Sequence, residues 1–442
     1  MKHTFAIFAA MLLARAVVSE IPPTPLLGWN SYDSFGDSVT EEEIMANATY
    51  LKESLLAHGW NYVVVDFRWY DPKADSGDRK NRAGATLTAD AFGRLLPAPN
   101  RFPSAVDGNG FKTLAGRVHA MGLKFGIHVM RGIPQQAVKA NTPIEGSSFH
   151  ALDAANTDST CEWCPDMFGV KADQSAGQAW YDSLLRLYAA WGVDYIKVDD
   201  LSKPYSAPEI EAITQAIKRC GRTVVFSTSP GATPLKQANH IRAHANLWRI
   251  SADFWDNWKS LDHDFDLLWS WQSYGGPRHW PDADMIPLGR VGKRCLDAKG
   301  EHMTHFTRDE QVTLMSLWAL APSPLMLGMN LPDNDEWTLG LLTNDEVLAI
   351  NQDMLCKPAT CVWRKDGLEV WLRVIFGGGR AVGIFNRSDQ SRKFHDLALA
   401  GVTGNWKVRD VWSHQDLPDS IAELSIKLLP HSSRLFKLSP VN

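Results

Sequence analysis

From residue 24 onward, short apolar runs alternate with stretches of helical periodicity. "TPLLGWNSY", "YVVVDFRWY" (62–70), "LKFGIHVM" (123–130), "YIKVDD" (195–200), "TVVFSTSP" (223–230), "LWRIS" (247–251), "ADMIPL" (283–288) and "PLMLGMNL" (324–331) read as strands. Between the first two, "TEEEIMANATYLKESLLAHG" predicts a helix: Thr40 and Glu43 form a capping box, Ile44, Leu51 and Leu55 share a face, and Gly59 is a stop. Trp180, Leu184, Leu187 and Trp191 line one face of another helix, which leads into "YIKVDD". About eight βα units in succession predict an α/β fold, a (β/α)₈ TIM barrel over residues 20–353. Beyond residue 353 the texture changes to short alternating strands broken by Gly, Pro and Ser, as in "LEVWLRVIF", "RAVGIFNRS" and "RLFKLS". Residues 354–442 therefore read as a C-terminal antiparallel β-sandwich domain.

In a TIM barrel the C-terminal strand ends build the active face. Read in order, those ends supply Trp29, Asp66, His128 with Arg131, Lys197 with Asp199 and Asp200, Ser229, Arg249 with Asp253, and Asp282 with Asp284. Merely solvated strand ends would carry scattered Lys and Glu. A recurrent set of Asp, Arg, His and Trp points to a site.

Composition narrows the class. A net charge of -5 over 442 residues gives no sign of a nucleic-acid-binding surface. No mature segment is apolar for long enough to span a bilayer. Residues 1–19, with Lys2 and His3 ahead of "TFAIFAAMLLARAVVSE", read as a secretory signal peptide, so the expected location is extracellular or periplasmic. Six cysteines fit an exported chain with local disulfide bonds. Cys356 and Cys361 are close enough in sequence for a small loop bridge, and "CEWC" (161–164) suits a local bridge or two inert thiols better than half a zinc site. Asn47 and Asn386 lie in glycosylation sequons. His240 and His244 are spaced for a metal but read better as a helix face.

Several carboxylates, two kinds of cation and aromatic rings at one barrel mouth suit carbohydrate hydrolysis, which needs one carboxyl group as nucleophile or base and a second as acid. Lys197, two residues before Asp199, faces the same side of its strand and keeps that carboxylate ionised. Asp253, just past an Arg-bearing strand end, is the natural partner. No HExxH, Walker loop, strand–helix GxGxxG or GxSxG competes.

"TPLLGWNSYDSFG", "YIKVDD", "WRISADFWDNW" and "HWPDADM" together resemble glycoside hydrolase family 27, the melibiase-type α-galactosidases, in order and spacing over roughly residues 24 to 352. The resemblance implies a retaining double displacement with Asp199 as nucleophile and Asp253 as acid/base. Trp29, Asp66, His128, Lys197, Ser229, Arg249 and Asp284 would surround the sugar, with no metal or organic cofactor. It also implies an oligosaccharide or glycoconjugate substrate and, by default, release of terminal α-D-galactose. Phe67 departs from the family's usual second Asp after Asp66, and Ser229 stands where a bulkier acidic residue is common. Both alter the glycone pocket, so an α-N-acetylgalactosaminide, a β-L-arabinopyranoside or an isomaltose-type glucan are alternatives. A non-catalytic sugar-binding protein is the alternative from another class.

Overall fold

The computed structural model describes residues 20–75, 86–395, 398, 401–403, 405–417 and 425–441, so the expected signal peptide lies outside the described residues. Eight parallel strands form one curled sheet: β1 Leu27–Asn30, β2 Tyr62–Val65, β3 Lys124–Met130, β4 Tyr195–Asp199, β5 Val225–Thr228, β6 Leu247–Arg249, β7 Trp280–Asp282 and β8 Leu325–Leu327. They neighbour one another in chain order, and β8 also pairs with β1. The ring closes between β7 and β8 through one bridge after β7, where the Ile286 N–H donates to Met326 O at 2.7 Å and the Gly328 N–H to Ile286 O at 3.1 Å.

The seventh strand is thus Trp280–Asp282 and not 283–288. Asp284 adopts a left-handed φ of 83°, which interrupts the extended run and leaves Ile286 with a single bridge. The second strand likewise stops at Val65, because Arg68 turns at φ 59° and carries Trp69 and Tyr70 into the helical layer.

Side-chain alternation explains how charge reaches the barrel mouth. Tyr62, Val64, Tyr195, Val225, Leu247, Trp280 and Met326 fill the barrel interior, while Ile196 and Val198 point outward into the core shared with the helices. Lys197 and Asp199 therefore continue the inward row begun by Tyr195, one layer higher each time. The helix Glu41–Tyr50 begins at the expected Thr40–Glu43 capping box, and its continuation ends at Gly59, with φ 94°.

Downstream of the helix Asp345–Asn351, a six-stranded antiparallel sheet runs from Thr360 to Pro440, with the ribbon Arg392–His395/Ser425–Leu428 as a second layer. Successive residues of its strands face opposite ways. Trp371, Ala381, Phe385 and Leu435 join the barrel core against the helix Arg308–Leu320, whereas Val370, Val382, Ile384 and Phe436 build a separate core with Phe394 and Ile426. Gly383 permits this docking, since a Cβ there would collide with Leu320. Arg373, fully buried, reaches out of the sheet and donates to Ala319 O and Ile350 O, each at 2.6 Å.

Two expectations are corrected here. All six cysteines are unpaired. Cys356 is turned at φ 46° with its thiol on Pro23 O, and Cys361 faces Trp363 O, so the two are aimed at separate carbonyls. Asn47 and Asn386 are each about 1% exposed and hydrogen-bonded through their amides, which withdraws both sequons from modification in the folded chain. Among the described residues no helix is long and apolar enough to cross a membrane.

Candidate active site

The end of β4 sorts its two carboxylates. Asp199 continues the inward row, while Asp200, at φ 67°, turns its side chain away onto Arg131, which donates from Nε at 3.0 Å and Nη2 at 2.7 Å. Arg131 also donates to Glu209 at 2.6 Å. That buried cluster is a brace beneath the loop and leaves Asp199 facing the cavity.

Around Asp199 the strand register supplies basic side chains. His128 on β3 lies level with Lys197 on β4, and His128 Nε2 stands 2.9 Å from Asp199 Oδ2. Lys197 donates to Asp66 Oδ2 at 3.1 Å, and Asn30 donates to the same oxygen at 2.6 Å. Burial opposes ionisation of Asp199, but His128 and Lys197 outweigh it and hold this carboxyl at about 2. Burial also works against Asp66, and there too Lys197 and His128 prevail and lower its value. Asp66 and Asp199 in turn overcome burial at Lys197 and keep it charged.

On the opposite wall Arg249 bridges two acids, with Nη2 2.7 Å from Asp284 Oδ2 and 3.1 Å from Asp253 Oδ1. The two acids differ in setting. The Asp253 side chain is 63% exposed at the mouth, whereas Asp284 is 5% exposed and accepts from the Phe254 N–H at 2.9 Å. Burial raises Asp284 to about 6 despite Arg249 beside it. Asp282 lies beneath, accepts the Asp284 N–H at 2.9 Å, and is raised by burial.

These groups enclose a cavity of about 500 Å³ lined by Asp66, Lys197, Asp199, Arg249, Asp253 and Asp284, within the range of small-molecule sites. Phe67 forms an apolar wall of it, edge-on to His128 at 5.1 Å and tilted against Trp163 at 5.5 Å. Trp163 comes from "CEWC", whose cysteines are buried, with burial pushing Cys161 to about 12. The motif holds inert thiols and presents an aromatic ring.

Three residues expected to touch sugar are placed elsewhere. Trp29 is fully buried, with its indole N–H on Met329 O at 2.6 Å, and Tyr32 lines the cavity instead. His128 is fully buried beneath Phe67, so it faces Asp199 and does not line the cavity. Ser229 is fully buried behind the Arg249 guanidinium, which donates to it at 3.4 Å. Trp69 and Trp280 are core residues as well.

Conversely, Asp33, Trp163, Trp255, Asp297 and Lys299 line the cavity without having been singled out. Asp33 packs where a Cβ on residue 328 would fall, so Gly328 makes room for it. Burial, reinforced by Asp284, raises Asp33 well above the usual carboxylate range.

Residues 172–353 match the family profile described as Alpha galactosidase A, and residues 365–438 match that of the Alpha galactosidase C-terminal beta sandwich domain. A GH27 β-L-arabinopyranosidase from Geobacillus stearothermophilus is 48% identical, with 95% of this chain and 97% of that one aligned at a TM-score of 0.91. The chain belongs to glycoside hydrolase family 27. It is a glycosidase with an oligosaccharide substrate, which sets aside the non-catalytic alternative. An α-galactosidase from Oryza sativa subsp. japonica is 28% identical over 96% of this chain and 87% of its own. Alpha-galactosidase 2 from Arabidopsis thaliana is 29% identical over 94% and 89%.

Proposed function

We propose that this glycosidase is a retaining enzyme whose preferred glycone is β-L-arabinopyranose, with α-D-galactose as the second reading. The observation that carries the glycone is Phe67. β-L-Arabinopyranose has the ring configuration of α-D-galactose but lacks the hydroxymethyl group on C5. An extra hydroxyl needs a polar partner when it is buried, and an apolar ring beside Asp66 offers none. The 48% identical β-L-arabinopyranosidase supports the pentose, as does an Asp→Ala variant of that enzyme in complex with arabinose. The more distant α-galactosidases support galactose.

The chemistry follows from the two exposures. Asp199, ionised on the cavity floor, attacks the anomeric carbon while Asp253, at the solvent-facing mouth, gives its proton to the departing oxygen. A glycosyl ester on Asp199 results. Asp253 then takes a proton from water, whose oxygen displaces Asp199 and restores the starting configuration. Asp66 and Lys197 receive sugar hydroxyls. Residues 1–19 support export of the mature enzyme.

Measuring kcat/KM for nitrophenyl β-L-arabinopyranoside, α-D-galactoside, α-N-acetylgalactosaminide and α-glucoside decides the glycone. The arabinopyranoside is expected to lead, and Phe67→Asp to shift preference toward the galactoside. A wild-type preference for α-galactoside above a thousandfold, about 4 kcal/mol, would overturn the pentose reading and leave an α-galactosidase.

A further inference from the structure

Beside the cavity rim, three ligand-type side chains converge. Asp256 follows the pocket-lining Trp255, and His302 and His305 lie at the end of the excursion that carries Asp297 and Lys299. Their donor atoms all fall within 4.8 Å of one another. His302 Nε2 is 2.9 Å and His305 Nδ1 3.2 Å from the same oxygen, Asp256 Oδ2, and the two rings stack at 4.0 Å with 13° between their planes.

Hydrogen placement makes this arrangement demand a cation. His302 Nδ1 is 2.8 Å from Gly300 O, and a carbonyl only accepts, so Nδ1 carries the hydrogen. In a neutral ring Nε2 then points a lone pair at a carboxylate oxygen. That oxygen already accepts the His305 backbone N–H at 2.7 Å. Either a proton or a metal ion must lie between the ring and the carboxylate. One divalent ion seated among the two ring nitrogens and the carboxylate would engage all three donor atoms at once.

Two imidazole nitrogens and a carboxylate oxygen suit Zn²⁺ and its transition-metal neighbours better than Ca²⁺ or Mg²⁺. Donors about 2.0–2.1 Å from a tetrahedral ion stand roughly 3.3 Å apart, close to the 2.9 and 3.2 Å separations here. An Nδ1–H donated to a backbone carbonyl is the outer contact that orients a ligating histidine. His305, 68% exposed, leaves the fourth position open to water. The group Glu211, His240 and His244 differs, because the Tyr205 hydroxyl, 2.6 Å from His240 Nδ1, can donate to it and leave Nε2–H to donate to Glu211 at 3.0 Å.

We propose that Asp256, His302 and His305 bind one divalent transition-metal ion of the Zn²⁺ type. The ion takes no part in glycoside cleavage. It ties the loop bearing Asp253 and Trp255 to the excursion bearing Asp297 and Lys299, fixing the rim where the leaving group sits.

The test is calorimetric titration of chelator-stripped, full-length enzyme with Zn²⁺, paired with thermal melting and Co²⁺ absorption. One ion per chain is expected, with a higher melting temperature in its presence. His305→Ala, outside the pocket, is expected to weaken binding by at least about 100-fold and to abolish the melting shift, and Asp256→Asn to do the same. His240→Ala is expected to change neither. The proposal is overturned by the absence of saturable binding up to millimolar Zn²⁺. It is equally overturned by undiminished affinity in His305→Ala, or by loss of binding in His240→Ala alone.

Discussion

His128 Nε2 stands 2.9 Å from Asp199 Oδ2 on the closed floor of the cavity, with the Phe67 ring edge-on above the imidazole. One buried ring thus supports the carboxylate proposed as nucleophile from below and is sealed from the cavity by Phe67.

Replacing that imidazole therefore tests positioning apart from binding. His128→Asn leaves Lys197 as the nearest cation, and the Asp199 value rises from about 2 because burial is then less well opposed. The expected result is a kcat about tenfold or more below wild type with KM little changed, and an acid limb displaced to higher pH. Equal kinetics in the two proteins, compared across pH 3 to 8, would remove His128 from this role.

Asp284 sets a different pH dependence. Its carboxyl is raised to about 6, so below that pH it becomes neutral and loses its charge-assisted hold on Arg249. Activity, as kcat/KM, is expected to decline below about pH 6 with an inflection that Asp284→Asn lacks. Stability follows by sign. A group held above its unfolded value favours the native state as pH falls from about 6 to 4, and that gain is lost as pH rises. Asp199, held below its unfolded value, contributes stability above about pH 4 that disappears as pH falls toward 2. A flat kcat/KM between pH 7 and 4.5 would contradict the assignment.

Arg373 links the β-domain to the barrel by donating to two helix carbonyls, and burial lowers it to about 10. Arg373→Ala removes both hydrogen bonds and opens a cavity. Denaturant titration is expected to show a loss of about 2–4 kcal/mol, while kcat/KM per folded molecule stays at the wild-type level. A catalytic defect without a stability defect would assign the β-domain a part in the chemistry.

Much of this was readable in the sequence because period-two runs and charged strand ends are local signals. "YIKVDD" carries its inward row on its face. The limits are equally physical. Trp29 and Ser229 sit at strand ends, yet whether such a side chain faces sugar or core depends on neighbours far away in sequence, such as Met329 and Arg249. Trp163, Trp255, Asp297 and Lys299 reach the rim on loops that have no periodicity. "HMTH" gives no helix or strand pattern, and its meaning comes only from Asp256, 46 residues earlier. The seventh strand is hard to place from sequence because Pro281 and Asp282 look unlike a strand, while "ADMIPL" looks like one.

The account rests most heavily on Asp199 as a nucleophile served by Asp253. Incubating the enzyme with a 2-fluoro-substituted β-L-arabinopyranosyl or α-D-galactosyl donor, then mapping the adduct by mass spectrometry, tests it directly. One glycosyl unit on the peptide containing Asp199 is predicted, with Asp253→Asn still able to form it from donors with good leaving groups. An adduct on Asp253 or Asp284, or no adduct together with a product of inverted configuration, would contradict it.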